Sequence, residues 1–257
     1  MNGWFDGTPL ADPGTALAAA GALLLGGLVK GLLGMGLPTV AVPLLTYFLP
    51  LPVAVGLMSV PVMVSNAAQA IQSPERRPAL RRLWPFMLAL LIGVGAGIPL
   101  LVGLDQRWLE LVLGLVLIFF VATNVRMPDL QVPARRERAS SIVVGLLSGV
   151  IGGMSNLFGP PVAMYFVSLR LPPDVFVAAV SMTFLVGTTP IYVALLGSGI
   201  LDGPLLVAAA LALVPTMAGV WLGQRLRRIV PAARFRQLIL LLLAVIGLDL
   251  ARRGLGI

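Results

Sequence analysis

The arginines of this chain crowd into three short segments, and the sequence between them is apolar for roughly twenty residues at a time, the length that matches the hydrocarbon core of a bilayer. The segments hold Arg76, Arg77, Arg81 and Arg82; Arg126, Arg135, Arg136 and Arg138; and Arg225, Arg227, Arg228, Arg234 and Arg236. Only 11% of the residues are charged and 58% are hydrophobic, against about 25% and 45–50% in soluble domains. With so few charges the chain cannot cover a globular surface in water, so its solvent is lipid. The expected class is an all-α polytopic membrane protein in the inner (cytoplasmic) membrane. The net charge of +8 sits in short connections, where Arg/Lys marks cytoplasmic faces and touches anionic headgroups. Membrane lipid is therefore an expected partner, and nucleic acid is not.

Apolar segments are read at about 15–35, 38–50, 52–72, 83–103 and 107–127, and again at about 140–158, 160–170, 174–197, 203–224 and 232–251. The polar stretch at 128–139 separates a first membrane repeat, 1–127, from a second, 140–257. If all three arginine segments are cytoplasmic, 83–127 makes one excursion out and back, and each half crosses an odd number of times. That parity inverts the second repeat relative to the first and puts both termini on the non-cytoplasmic side. The N-terminal acids Asp6 and Asp12 fit such a start, and the first residues lack the basic region of a cleaved signal peptide. Segments 38–50 and 160–170 are short for a full span, so eight full helices and two short or re-entrant half-helices are expected.

A glycine spacing supports the duplication. Gly27, Gly31 and Gly34 recur 118 residues later as Gly145, Gly149 and Gly152, and a proline follows the last glycine by nine residues in both copies, at Pro43 and Pro161. Further along the offset is 122, linking Ser59 to Ser181, Asn66 to Thr188 and Gly97 to Gly219. The change implies about four extra residues near Arg170 in the second copy. Paired, glycine-rich, proline-broken segments mark the binding site of many secondary transporters.

These residues resemble the TauE/SafE family of sulfite exporters and sulfonate-uptake permeases. The likeness lies in GLVKGLLGMGLPTVAVPLL, in LPVAVGLMSV and in a diverged second copy ending GPPVAMYF, and it extends over nearly the whole chain. The turn reads Gly34-Met35-Gly36-Leu37-Pro38 where Gly-Gly-Gly is commoner in the family. The resemblance implies transport of a small anionic sulfur compound, such as sulfite or a sulfonate, across the inner membrane.

Lys30 stands out among the candidate binding residues, because an unpaired ammonium deep in an apolar helix is costly. It neutralises an anion, reaches a cytoplasmic interface, or bonds backbone carbonyls at the break, and its counterpart at the 118 offset is Ser148. Breaks at Gly34 and Gly36 would start a helix at Pro38-Thr39, and a second would start near Pro160-Pro161, each aiming free N–H groups and partial positive charge inward. The same glycines also suit close helix packing. Asn66, Ser155, Asn156 and Thr188 complete the candidate substrate-binding set with Lys30, Gly34, Gly36, Pro38 and Thr39.

No carboxylate clearly falls mid-membrane, and the chain has neither histidine nor cysteine. No catalytic residue, cofactor or metal site is expected, and the chain is not read as an enzyme. Alternating access of one repeat against the other is the expected mechanism. A non-transporting scaffold or partner subunit, or a carrier of another small anion such as a carboxylate, remains the alternative. A homodimer is compatible with the sequence but not demanded by it.

Overall fold

The computed structural model describes residues 9–126, 131–227, 229 and 232–256. These form α-helices and two single 3₁₀ turns, with no strand among the described residues. The first half contains α1 (Pro13–Leu33), α2 (Leu37–Leu45), α3 (Leu51–Leu57), α4 (Ser59–Gln72), α5 (Arg76–Gly103) and α6 (Gln106–Arg126). The second contains α7 (Glu137–Ser155), α8 (Gly159–Ser168), α9 (Pro173–Gly197), α10 (Gly203–Leu226) and α11 (Ala232–Leu255). Among the described residues, six helices are long and apolar enough to cross a membrane, or seven if α3 and α4, bent by 44°, count as one span. The chain is thus a multi-pass helical membrane protein.

Ten expected segments become eleven helices because the third is broken. Pro61 has no N–H to give Leu57, and its ring crowds that carbonyl, so α3 ends and α4 begins there. Thr183 occupies the corresponding place in the second half, and α9 runs through without a break. The basic residues from Arg76 onward belong to α5 rather than to a loop, and the end of the expected linker at 137–139 belongs to α7. Residues 1–8 and 128–130 of the expected terminus and linker lie outside the described residues.

The glycine spacing is mainly a packing device. Gly27 and Gly31 of α1 lie against the main chain of α10 at Thr216, Val220 and Gln224, and Gly219 and Gly223 of α10 lie against Leu24 and Leu28. Gly145, Gly149 and Gly153 of α7 meet α5 at Phe86, Leu90 and Val94 in the same way. A Cβ at these positions would overlap a main-chain carbonyl, so the backbones approach as only small residues allow. In both seams the contacts advance together along the two helices, so α1 is parallel to α10 and α5 to α7. The seam of α6 with α11 runs the other way: Leu111 meets Gly254, and Gly114 meets Gly247 and Ala251. The packing is pseudo-symmetric, because α1 with α10 mirrors α7 with α5 and α4 with α9 joins equivalent segments.

At the breaks the two halves register at an offset of 122 throughout. The cap of α1 is Gly34 (φ 79) and that of α7 is Asn156 (φ 60), both left-handed. The helices that follow start at Leu37 and Gly159, and the next at Leu51 and Pro173. The second copy therefore gains no residues near Arg170, and the seam contacts carry the same offset of 122 back through α1 and α7, where Gly27 and Gly31 correspond to Gly149 and Gly153. Lys30 accordingly corresponds to Gly152 rather than to Ser148.

Candidate functional site

The two short helices meet head to head. Thr39 Oγ1 of α2 fills the space that a side chain on Gly159 of α8 would need. From that junction the helices run to opposite faces. Beyond the end of α2, Tyr47 donates to Asp249 Oδ2 of α11 at 2.9 Å, and the Leu51 N–H reaches Gln106 Oε1 at 3.0 Å. At the end of α8, Tyr165 donates to the Glu137 carbonyl at 3.0 Å, and Val132 N–H bonds Ser168 O at 3.1 Å. Their 9 and 10 residues correspond to roughly 14 and 15 Å at about 1.5 Å per residue. Together that is about the 30 Å thickness of a hydrocarbon core, so the junction lies at mid-depth.

A cavity of about 360 Å³ opens at this junction. Gly36, Thr39, Gly159 and Pro160 line its inner end. Its walls follow α8 as far as Ser168 but take only the first turn of α2, and Thr123 of α6 and Ile239 of α11 complete it. It therefore leads from mid-depth toward the face that carries Arg82 and Glu137, whose side chains pair at 2.7 Å. Thr39 is 6% exposed overall, and its hydroxyl, which makes no hydrogen bond to any described residue, faces the cavity. Gly36 (φ 100) adopts a backbone that L side chains avoid, which lets α2 restart two residues after α1 ends. Pro160 and Pro161 leave α8 fewer free N–H groups than a helix start usually has. The donors at this junction therefore come more from α2 than from α8.

The other expected residues form two groups flanking the cavity. Lys30 is 4% exposed. Its Nζ donates to Asn66 Oδ1 at 2.9 Å, and Asn66 Nδ2 donates to the Val62 carbonyl at 2.8 Å. That one neutral acceptor is the only hydrogen-bond partner of the ammonium among the described residues. Beside it Gln69 Nε2 donates to the Gly34 carbonyl at 3.2 Å, and Gln69 Oε1 accepts from Ser181 at 3.2 Å. Val29, the preceding residue of α1, lines the cavity, so Lys30 stands on the adjacent helix face and not in the cavity wall.

The second group belongs to the break after α7. Asn156 Nδ2 donates to the Tyr192 hydroxyl at 3.2 Å, while Asn156 Oδ1 has no partner. Thr188 donates to its own helix at Phe184 O, 2.7 Å away. Ser155 does likewise to Ile151 O at 2.6 Å and accepts from Leu157 N–H at 3.3 Å, which shapes the turn. Pro38 is buried in the first turn of α2 but does not line the cavity.

The sequence reading gathered nine residues into one site, whereas the structure divides them among the cavity and the two breaks. It also adds Gly159, Pro160, Gln69 and Tyr192. Tyr192 was legible in principle: it follows Asn156 by 36 residues, as Asn66 follows Lys30. No group of three or more His, Cys, Asp or Glu residues that could hold a metal occurs among the described residues.

A family model described as "Sulfite exporter TauE/SafE" matches residues 18–250. Neither a curated protein nor a solved structure matches the chain.

Proposed function

The chain belongs to the sulfite exporter TauE/SafE family, and from that premise we propose that it carries small sulfur oxyanions, such as sulfite or sulfonates, across the inner membrane through the junction of α2 and α8. The observation that carries this reading is the meeting of two helix N-termini on a cavity that the Thr39 hydroxyl faces without a partner among the described residues. A helix start concentrates partial positive charge and free N–H groups, which suits an oxyanion with several acceptor oxygens. Lys30 adds a full positive charge one helix face away. In a medium that screens poorly, that charge favours an anion at the junction without touching it. Gly34, Gly36 and Pro38 shape the turn that presents Thr39, and Asn66 holds the ammonium in place.

The antiparallel seam of α6 with α11, beside the two parallel seams, supports an inverted relation between the repeats. Two copies with the same orientation would make α6 and α11 parallel. An inverted relation would bring the three arginine segments to one face, which the positive-inside rule would make cytoplasmic. Rocking of one repeat against the other would then open the junction alternately to each side, and the cavity described above is the cytoplasm-facing arm of that cycle.

The test is the thermal stability of the purified protein against sulfite, sulfonates, sulfate, thiosulfate and simple carboxylates. A ligand of the folded state raises Tm by mass action. A rise with one or more sulfur oxyanions is expected. A rise with carboxylates alone would replace the substrate class, and a flat response to the whole panel would favour a non-transporting scaffold.

A further inference from the structure

The two breaks share one backbone plan, yet their polar groups are of opposite kind. A helix C-terminus carries partial negative charge, and its last carbonyls lack partners within the helix. At the end of α1 the carbonyls of Gly31, Leu32 and Leu33 accept no main-chain hydrogen bond. There Lys30 belongs to the last turn, with its ammonium donating to Asn66 Oδ1 of α4, and the Gln69 amide donates to the Gly34 carbonyl. At the end of α7 the carbonyls of Gly153, Met154 and Ser155 also accept no main-chain hydrogen bond, because Leu157 N–H turns to Ser155 Oγ instead.

No cation answers the second set. Lys30 is the only charged side chain that is buried among the described residues. The second break instead adds another acceptor, Asn156 Oδ1, which is 0% exposed and unpaired. The Asn156 amide is already committed to the Tyr192 hydroxyl. Gly153, Met154, Ser155 and Asn156 are all buried, so these acceptors lie on four consecutive buried residues at the negative end of a helix.

We propose that this end of α7 binds a monovalent alkali cation of about sodium's size, held by Asn156 Oδ1 and the terminal carbonyls of α7, and that the Lys30 ammonium is its covalent counterpart at the other break. Small hard cations take oxygen ligands, and the C-terminal ends of interrupted helices serve sodium in this way. A divalent ion would call for carboxylates, and none is buried among the described residues. The cation would place positive charge on the second side of the anion junction, matching that supplied by Lys30 on the first. As a binding site this stands alone; as the coupling ion of transport it rests on the anion-carrier reading.

The experiment follows thermal unfolding of the full-length purified protein during a NaCl titration, with choline chloride replacing NaCl at constant ionic strength and no sulfur anion present. KCl is run in parallel. A saturable rise in Tm with NaCl or KCl, absent with choline chloride, is the expected result. Asn156→Gly keeps the left-handed backbone and removes the oxygen, and it should raise the half-saturating salt concentration roughly tenfold or more. If that variant does not fold, Tyr192→Phe, which frees the amide from its partner, carries the same test with the same direction of shift. Matching curves in alkali chloride and choline chloride, or an unshifted midpoint in the folded variants, overturn the site.

A second titration with choline sulfite separates the two readings. Stabilisation by sulfite without stabilisation by NaCl removes the cation site and leaves the carrier. Stabilisation by NaCl without any anion response keeps the cation site and removes its role in coupling.

Discussion

The break after α1 and the break after α7 have the same backbone and opposite chemistry. Each ends a packed helix in a left-handed residue, restarts a short helix at the central junction, and ties the first segment to the third through a pair of side chains 36 residues apart. In the first pair an ammonium meets an amide; in the second an amide meets a phenol, leaving an oxygen free. The two breaks share the left-handed cap and the glycine seams of the helices that lead into them, and differ in their polar groups. A site that was positive on both sides would hold an anion too firmly to release it. One fixed charge facing one exchangeable charge avoids that.

The comparison breaks most sharply at Lys30. Lys30→Met removes the fixed charge and should lower sulfite flux in proteoliposomes, and sulfite-induced stabilisation, by about 10- to 100-fold, since a unit charge roughly 8 Å away at an effective dielectric of about 20 contributes about 2 kcal/mol. Tm of the empty protein should change little, because removing the desolvation cost of a buried charge offsets the lost bond to Asn66. Full flux per folded molecule, with a collapsed Tm, would make Lys30 structural and the two breaks equivalent in function.

Gly36 has no left-handed partner in the second half, where Phe158 precedes α8 in a right-handed conformation. Gly36→Ala should therefore cost about 1–3 kcal/mol of stability for a side chain held at φ 100. The Val29 methyl, 3.2 Å from the added Cβ, adds to the cost. Phe158→Ala is expected to destabilise as well, but through lost packing, and would not rely on backbone strain. Thermal unfolding of both measures whether the restart of α2 depends on glycine in a way that α8 does not.

Thr39→Val sharpens the comparison at the junction itself, because Pro161 stands at the corresponding place in α8. The hydroxyl has no protein partner, so Tm should hold within the error of the measurement. Sulfite affinity should fall by about five- to tenfold, the worth of one neutral hydrogen bond of about 1 kcal/mol. Unchanged affinity would move the anion away from α2.

Much of this arrangement was legible in the chain. The all-helical membrane class followed from charge scarcity, and the ten segments followed from apolar length and punctuation. The glycine spacing suggested a duplication, and its physical use is chiefly the seams α1–α10 and α5–α7, which involve a partner glycine set in a different helix that periodicity alone does not pair. The residue ending α7 was harder to find because Asn156 does the work of a glycine, so a search for repeated glycines selected Gly152, four residues early. The separation of Lys30 from the cavity was not legible either. It depends on which face of α1 turns toward α4, a tertiary fact. Tyr192 escaped because an aromatic residue in an apolar helix gives no sign that its hydroxyl has a buried amide to meet.

The smallest effect is expected where the two breaks are most alike. Gly34 and Asn156 both cap a helix with positive φ, and a Cβ on Gly34 would meet only a Val177 methyl, at an ordinary 3.8 Å. Asparagine tolerates the left-handed region better than other side chains, and replacing glycine also narrows the unfolded ensemble, so these terms oppose one another. Gly34→Asn should change stability by no more than about 0.5 kcal/mol, within the usual range of a neutral substitution. Gly34→Val, branched at Cβ, should lose about 1–2 kcal/mol at the same position. If unfolding curves rank the two variants in the opposite order, the shared cap is not what unites the breaks. If Gly34→Asn folds normally and also responds more strongly to NaCl, an amide oxygen at a helix end is enough to recruit a cation, and the difference between the breaks reduces to the side chain each one presents.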